Sequence, residues 1–448
     1  MKRQQFLGQS AALGAGLALA SRAPAALVEA ATPRTARASV PATFTFSTWG
    51  DYRLYQDAFQ RLQKAYPRYA PVQFSNQEAA AQGSTAGADV LTQRLLAGYV
   101  AKAYATMPDV CELSNGALPE LAAAGLLVDL TDRFQPYLKG LAPAVIQAVS
   151  YKGRIYACPW RANTSQLYYR EDIWSQAGVK ADDIKTWNDY IAAGKRIKAY
   201  KFSDGVQRYI TNSGATPGFN TNLLTQQGGQ IFDQSGKLLI DTDPRFRAAF
   251  QTQVSLIQSG VTSQVTSFTP AWFQGFKDGS ISSVYLEVWM DQILQENAPD
   301  TAGKWRVMRY PAFSVGGGRD VVDGAAIVVA INKPGLDKDL AWDFMRNSFL
   351  NPAVTVALCN KWFFPPAYLP ATSNSALIYN HPSAFYGGQV LETLDRTVQQ
   401  HAYSPIYNKD YPTALQYINQ AFADAVAGKQ SVSAAIQKAA GKIRAAMS

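Results

Sequence analysis

Strand-like and helix-like patterns alternate along the chain from Thr43 onwards, and this alternation constrains the fold more than any other feature of the sequence. The segment "TFTFST" alternates apolar and polar residues, and the helix pattern that follows it ends before Pro67. The segments "APVQFSN" and "MPDVCELS" repeat this order, each followed by a helix pattern. Because strands linked by helices usually pair in parallel, the sequence predicts an α/β protein with mostly parallel sheets flanked by helices.

The size and composition of the chain indicate a multidomain globular protein. Its 448 residues exceed what one ordinary hydrophobic core accommodates, so we expect two or three domains. Hydrophobic residues make up 47% and charged residues 17%, which excludes a disordered chain. The net charge is +9, but the basic residues are scattered rather than clustered. We therefore expect a solvated basic surface and no nucleic-acid partner.

Residues 1–30 are predicted to be an export signal peptide. Lys2 and Arg3 precede a short Ala- and Gly-rich apolar run, and small-residue cleavage sites follow it. A membrane anchor would need about 18 or more strongly apolar residues. The start resembles a twin-arginine signal, except that Gln4 stands where the second arginine would be. No cysteine precedes Cys111, so we expect a periplasmic or extracellular protein that is not lipidated.

The residue types that most enzymes use are scarce. His381 and His401 are the two histidines, and no nucleophile-elbow, zinc-binding or P-loop motif occurs. The three cysteines, Cys111, Cys158 and Cys359, allow at most one disulfide, and buried free thiols are the simpler interpretation. We therefore expect no cofactor, no metal and no histidine-based catalysis. Paired carboxylates, which glycosidases use, stay open because acidic residues are plentiful.

Aromatic residues are abundant, with nine Trp and 23 Tyr. Their flat apolar faces can stack on the C–H face of a sugar ring, while Tyr and Trp also hydrogen-bond at the ring edge. Most aromatic residues in a chain of this size belong to the core. Trp160, Trp289 and Trp362 are the candidates for facing a ligand, because each lies at the end of a predicted strand beside loop or polar residues.

The segment "GRIYACPWRANTSQLYYREDIW" predicts a strand that ends at Pro159 and a second strand that begins at Gln166, with stacking and hydrogen-bonding residues between them. Together with "KTWNDYIAAGKRI", it resembles bacterial extracellular solute-binding proteins of ABC importers, family 1, which are maltose-binding-like and sugar-binding. The segments "MPDVCELSNGALPELAAAGLLVDL", "FQGFKDGSISSVYLEVW" and "DGAAIVVAINKPGLDKDLAWDF" are similar to later parts of that family, in the same order. The resemblance covers nearly all of residues 43–350.

The resemblance implies a two-lobed, periplasmic-binding-protein-like α/β fold, in which crossing strands join the lobes and the ligand binds in the cleft between them. The first lobe is expected to comprise residues 41–160 and 325–400, and the second residues 161–324 and 401–448. The ligand-binding residues implied by position, with Trp362 added from its aromatic context, are Trp49, Asp51, Ser114, Asn115, Trp160, Arg161, Asn163, Thr164, Glu287, Trp289, Asp323, Gly324 and Trp362.

The function implied is that of a monomeric receptor that captures a mono- or oligosaccharide and delivers it to the permease subunits of an ABC importer. Trp289 and Trp160 are expected to stack on the sugar from opposite sides of the cleft. Two alternatives stay open. One is a secreted glycan hydrolase with paired carboxylates. The other is a receptor of the same fold for a polyol phosphate or another small anion, which Arg161 makes conceivable.

Overall fold

The computed structural model describes residues 43–48, 52–77, 85–214 and 218–447. The predicted signal peptide, residues 1–30, lies outside these ranges. Within them, no helix combines the length and the apolar character that crossing a membrane requires.

The described residues form eleven strands, most of which join one large sheet. The strands are β1 (Thr43–Ser47), β2 (Gln73–Asn76), β3 (Val110–Leu113), β4 (Ser150–Tyr151), β5 (Arg154–Ile155), β6 (Cys158–Arg170), β7 (Thr211–Asn212), β8 (Thr262–Ser263), β9 (Ser283–Glu287), β10 (Trp305–Met308) and β11 (Val322–Ala330). Seven of them form a sheet with the order β10-β6-β11-β3-β1-β2, in which β9 also pairs with β6. Strands β4 and β5 form a separate pair, as do β7 and β8.

The large sheet contains both parallel and antiparallel strand pairs. β1 runs parallel to β2 and β3, as the alternation of strands and helices predicts. β6 and β11 run antiparallel to each other, and both pair antiparallel with their other neighbours. The α/β class is therefore confirmed, whereas the expected parallel pairing holds for β1 to β3 and for β7 with β8. The long crossing strands pair antiparallel because one leaves the first part of the molecule and the other returns to it.

Strand β6 corrects the prediction of two strands separated at residues 160–165. It is one continuous strand of 13 residues that contains Pro159. A proline has no backbone N–H to donate to the sheet and is tolerated where the ladder is irregular. Such an irregularity lies opposite Pro159, between Ala326 and Ile327 of β11. The first half of β6 pairs with β11, and its second half pairs with β9 and β10.

Helices cover both faces of the sheet and fill the connections. They are α1 (Tyr52–Ala65), α2 (Thr85–Val100), α3 (Leu118–Ala123), α4 (Thr131–Phe134), α5 (Pro143–Ala148), α6 (Glu171–Gln176), α7 (Trp187–Ala199), α8 (Asn222–Thr225), α9 (Pro244–Gln258), α10 (Pro270–Asp278), α11 (Met290–Asn297), α12 (Lys338–Phe349), α13 (Pro352–Trp362), α14 (Leu369–Thr372), α15 (Leu391–His401), α16 (Tyr411–Val426) and α17 (Val432–Met447). Local signals mark some of their starts: Thr186 forms a capping box with Asp189 at the start of α7.

Two hydrophobic cores lie along the crossing strands. The first contains buried side chains from residues 44–160 and 322–391, and the second contains side chains from residues 167–261 and 411–443. Each core is therefore built from segments that are distant in the sequence. Helices α10 and α11 lie within residues 161–324, which are expected to belong to the second lobe. Their side chains Trp272 and Leu294 nevertheless pack in the first core. The lobe boundaries themselves stay a prediction.

All three cysteines are buried and free, as expected for thiols that pack as small apolar groups.

Candidate functional site

The crossing strands bring a buried arginine and several carboxyls together. Arg161 on β6 donates a hydrogen bond from Nε to Oδ1 of Asn163, over 3.2 Å. Burial lowers the pKa of the Arg161 guanidinium, and the negative charges of Glu112 and Glu287 oppose this effect. Acidic groups of the protein itself therefore offset part of the cost of burying this charge.

Glu287 and Asp323 form a pair of buried carboxyls where β9 ends and β11 begins. Asp323 lies within hydrogen-bonding distance of the Glu287 carboxyl. Asn222 donates to Oε1 of Glu287 over 2.7 Å, and the Tyr407 hydroxyl donates to Oδ1 of Asp323 over 2.6 Å. Burial and the charge of Asp323 raise the pKa of Glu287 to about 7, and burial also raises the pKa of Asp323. The pair therefore holds a proton near neutral pH.

A third carboxyl, Glu112, faces Arg161 from strand β3. Its side chain is buried and accepts a hydrogen bond from the hydroxyl of Thr48, which follows β1. Burial raises the pKa of Glu112, while the positive charge of Arg161 opposes the shift. Glu112 and Glu287 thus act on the Arg161 guanidinium from two different strands, and Asp323 interacts with Glu287.

An uncharged polar pocket of about 210 Å³ opens beside the acidic cluster. It lies at the carboxyl ends of β7 and β8 and is closed on one side by residues 284–286 of β9. None of its described lining residues is charged. The polar side chains that line it are Thr211, Asn212, Ser213, Asn220, Gln253, Thr262, Ser267 and Tyr285.

The pocket forms because neighbouring strands separate. Tyr209 pairs with the chain before β9 through Ser280 and Ser282, with both hydrogen bonds at 2.9 Å. Beyond this point β7 pairs with β8 instead. The carboxyl ends of parallel strands are where α/β sheets commonly hold ligands.

Hydrogen bonds fix the amide side chains of the pocket wall. Asn212 donates from Nδ2 to the Val265 carbonyl and to Oγ of Ser267, both over 3.0 Å. The Gln253 side chain accepts from the backbone N–H of Asn220 over 2.7 Å and donates to the Asn220 carbonyl over 3.0 Å. The wall is therefore ordered without a ligand, which lowers the entropic cost of binding one.

Two aromatic rings lie next to the pocket. Trp289 is half-buried at the N-cap of α11, directly after β9, as its predicted position at a strand exit requires. Its ring stacks with that of Phe268, with centroids 5.8 Å apart and planes inclined by 30°. Phe268 follows Ser267 of the pocket wall and is 44% exposed.

A family model described as bacterial extracellular solute-binding protein matches residues 50–355. The chain belongs to this family. The arabinooligosaccharide-binding protein of Halalkalibacterium halodurans is 25% identical to this solute-binding protein over 298 residues, which are 64% of each chain and so slightly less than two thirds of that relative. The lactose-binding protein of Rhizobium radiobacter is 27% identical over 312 residues, 68% of this chain and 71% of that protein.

Solved structures share the fold of this solute-binding protein. An ABC transporter-associated binding protein of B. animalis subsp. lactis, in complex with β-1,6-galactobiose, has a TM-score of 0.71 at 20% identity and covers 90% of this chain and 96% of its own. The sugar-binding protein MalE of Xanthomonas citri has a TM-score of 0.71 at 18% identity, with the same coverage. The predicted periplasmic-binding-protein-like fold is therefore confirmed.

Trp160 corrects one expectation about the site of this solute-binding protein. The residue is 6% exposed and lies in the first core. Phe364 meets its ring edge-to-face at 4.7 Å, and the Arg161 guanidinium covers it at 4.6 Å. Because these groups already cover the indole, its position serves packing and the orientation of Arg161 rather than stacking on a ligand.

Asn115, Gly324 and Thr164 also serve the crossing. Asn115 donates from Nδ2 to the Ala148 carbonyl over 3.0 Å and accepts from the Ala325 N–H over 2.9 Å. Gly324 has a φ of +69°, and a Cβ atom there would clash with Oδ1 of Asn115. The fully buried Thr164 donates its hydroxyl hydrogen bond to Asp395. Asn115 and Thr164 use their side-chain polar groups within the protein, and the expectation that these three residues contact a ligand stays a prediction.

The other predicted ligand-binding residues do not form one group in the structure. Ser114 is half-buried before a short 3₁₀ helix. Trp362, at the end of α13, donates from Nε1 to Asp57 over 3.2 Å. Trp49 and Asp51 lie outside the described residues. Of the predicted set, the structure brings together Arg161, Asn163, Glu287 and Asp323.

The uncharged pocket and Glu112 are not among the features predicted from the sequence. Strands β7 and β8 have two residues each, so no periodic pattern marks them. The polar, glycine-containing segment "TNSGATPGFN" after an apolar residue was the available signal. Glu112 was hidden inside the apolar strand β3. Among the residues that the structure describes, no three metal-ligating side chains cluster.

Proposed function

We propose that this solute-binding protein is a receptor for a neutral carbohydrate, which it delivers to the permease subunits of an ABC importer. The observation that carries the proposal is the pocket beside the crossing strands, whose described polar lining consists of uncharged amide and hydroxyl groups. Such groups can donate to and accept from sugar hydroxyls. Relatives named for binding arabinooligosaccharides and lactose support the same ligand class.

The charges at the crossing disfavour an anionic ligand. Arg161 is faced by Glu112 and Glu287, and Asp323 adds a third carboxyl beside them. A phosphate or carboxylate group would bring further negative charge to these acids without meeting an uncompensated cation. A polyol phosphate is therefore the weaker of the two receptor hypotheses.

The carboxyl pair also disfavours the hydrolase alternative. Glycosidases hold their two carboxyls about 5–5.5 Å apart when they retain configuration and about 6.5–9.5 Å apart when they invert it. Glu287 and Asp323 interact with each other and accept hydrogen bonds from Asn222 and Tyr407, as a buried structural pair does, rather than standing apart on either side of a substrate. We propose a binding protein without catalytic activity.

The cellular setting follows from the sequence and the family. We propose that residues 1–30 are removed on export and that the mature chain acts as an unlipidated monomer outside the cytoplasm. Mass spectrometry of the secreted protein tests the cleavage and the absence of a lipid.

A thermal-shift screen tests the proposed ligand class. Lactose, maltose, arabinobiose and β-1,6-galactobiose form the neutral group, and galactose 6-phosphate and glycerol phosphate form the anionic group. A ligand that binds only the folded state stabilises it by about 2.7 kcal/mol at a hundred times its dissociation constant. We expect the unfolding temperature to rise with at least one neutral sugar. Stabilisation by the phosphates alone, or release of monosaccharides on incubation, contradicts the proposal.

A further inference from the structure

Phe268 has a backbone conformation that its residue type rarely adopts. Its φ angle is +65°, in the left-handed region where a Cβ atom meets the neighbouring carbonyl. Its ring is 44% exposed, so this conformation is not explained by burial of an apolar side chain. Because core packing does not explain this strained conformation, we infer that the exposed Phe268 side chain has a functional role.

The surrounding structure holds Phe268 in this conformation from both sides. On one side, Asn212 donates to the Val265 carbonyl and to Ser267. On the other side, Thr269 caps helix α10 by accepting from the backbone N–H of Trp272. Strained residues that their surroundings fix in this way cluster at ligand-binding and active sites.

The position of the ring connects the strain with the pocket. Ser267, the preceding residue, lines the pocket, and the Phe268 ring stacks on the half-buried ring of Trp289. Trp272 supports Phe268 from below, with ring centroids 5.0 Å apart. Phe268 and Trp289, together named the aromatic platform here, therefore form an apolar surface next to a polar pocket.

The size of the pocket limits what it can enclose. Its volume of about 210 Å³ is smaller than the roughly 300–1,000 Å³ of sites that enclose whole drug-sized ligands. An oligosaccharide that places one ring among the amides of the pocket leaves the next ring outside. The C–H face of that ring matches an exposed aromatic surface.

We propose that the aromatic platform binds a second sugar ring outside the pocket, so that this receptor prefers a disaccharide or a longer chain to a monosaccharide. Phe268 then sets the length preference, and its strained backbone holds the ring at the pocket entrance. This inference rests on the proposed carbohydrate function and adds the size of the ligand to it.

Titration calorimetry on matched sugar pairs tests the inference. The probes are lactose with galactose, maltose with glucose, and arabinobiose with arabinose. The variants are Phe268→Gly, which removes the ring and tolerates the positive φ, and Phe268→Tyr, which keeps a ring. Lys152→Gly is the matched control, because Lys152 also has a positive φ, of 48°, in the β4–β5 turn.

We expect the wild type and Phe268→Tyr to bind one of the disaccharides at least about tenfold more tightly than its monosaccharide, as one aromatic contact of hot-spot strength provides. In Phe268→Gly the two affinities should come within about threefold of each other, while the unfolding temperature of the free protein does not fall. Lys152→Gly should keep the wild-type ratio.

The contrary outcomes separate the two proposals. If Phe268→Gly still binds a disaccharide more tightly than its monosaccharide, the role of Phe268 is overturned. If the wild type binds both members of every pair with equal affinity, the length preference is overturned. Neither result touches the carbohydrate function. If none of the six sugars binds the wild type, the carbohydrate function and this inference fail together.

Discussion

At the scale of single residues, the Glu287–Asp323 pair decides the charge of the site. Both carboxyls act on Tyr310 and Tyr407, Glu287 also acts on Arg161, and burial favours the neutral forms of the two carboxyls. Because they lie within hydrogen-bonding distance of each other, they share a proton more easily than they carry two negative charges. The site therefore gains negative charge as the pH rises through neutrality.

The proton of this pair makes stability depend on pH. The pKa of Glu287 is raised from 4.5 to about 7 in the folded protein. A raised carboxyl pKa stabilises the folded state below the unfolded-state value, and this contribution is lost as the pH rises through 7. We expect the free energy of unfolding of the wild type to lose up to about 3 kcal/mol more between pH 5 and pH 8 than that of Glu287→Gln.

Denaturant titrations across this pH range measure the difference. Glu296→Gln is the matched control, because Glu296 is exposed on helix α11. Parallel pH profiles for the wild type and Glu287→Gln contradict the shared proton.

At the scale of elements, some strands and helices can be predicted from the sequence, whereas the full extent of the crossing strand β6 cannot. Helix α1 follows its periodic pattern because it buries one face, and β1 and β3 form where short, largely apolar segments are predicted as strands, although both of their faces are buried. Strand β6 departs from its prediction, since its Pro159 looks like a strand end and is accommodated only by the irregular pairing with β11. The same holds for the site. The family resemblance implies Arg161, Asn163, Glu287 and Asp323 by their positions. The pocket depends on where the short strands β7 and β8 separate from β9, and no local sequence pattern encodes this.

The irregular start of β11, where its register with β6 shifts between Val322 and Ala325, should be sensitive to the loss of a single glycine. Gly324 and Gly335 both have a positive φ, of 69° and 76°. A Cβ atom at Gly335 meets nothing within 4 Å, whereas one at Gly324 clashes with Asn115. Both alanine variants carry the left-handed strain of about 1–2 kcal/mol, and Gly324→Ala adds about 1–3 kcal/mol for the displaced Asn115.

Chemical denaturation of the two variants measures this difference. Equal destabilisation of Gly324→Ala and Gly335→Ala contradicts the role of the Asn115 contact in fixing the crossing.

At the scale of the whole molecule, two hydrophobic cores share the strands that carry the site. The first half of β6 belongs to the first core, and its second half contributes Leu167 and Tyr169 to the second. The acidic cluster and the uncharged pocket lie along this passage, on β6, β9 and β11 and at the ends of β7 and β8. A ligand held there contacts segments that belong to different cores, which is the arrangement that inter-lobe capture requires.

The central claim is that a neutral sugar binds in the pocket beside the crossing strands. A crystal structure of the mature chain with lactose, or with whichever neutral disaccharide raises the unfolding temperature most, tests it directly. The account predicts one sugar ring within hydrogen-bonding distance of the Asn220 side chain, and the other ring over Phe268. A sugar bound elsewhere with the pocket empty, or a hydrolysed product in the pocket, contradicts the account.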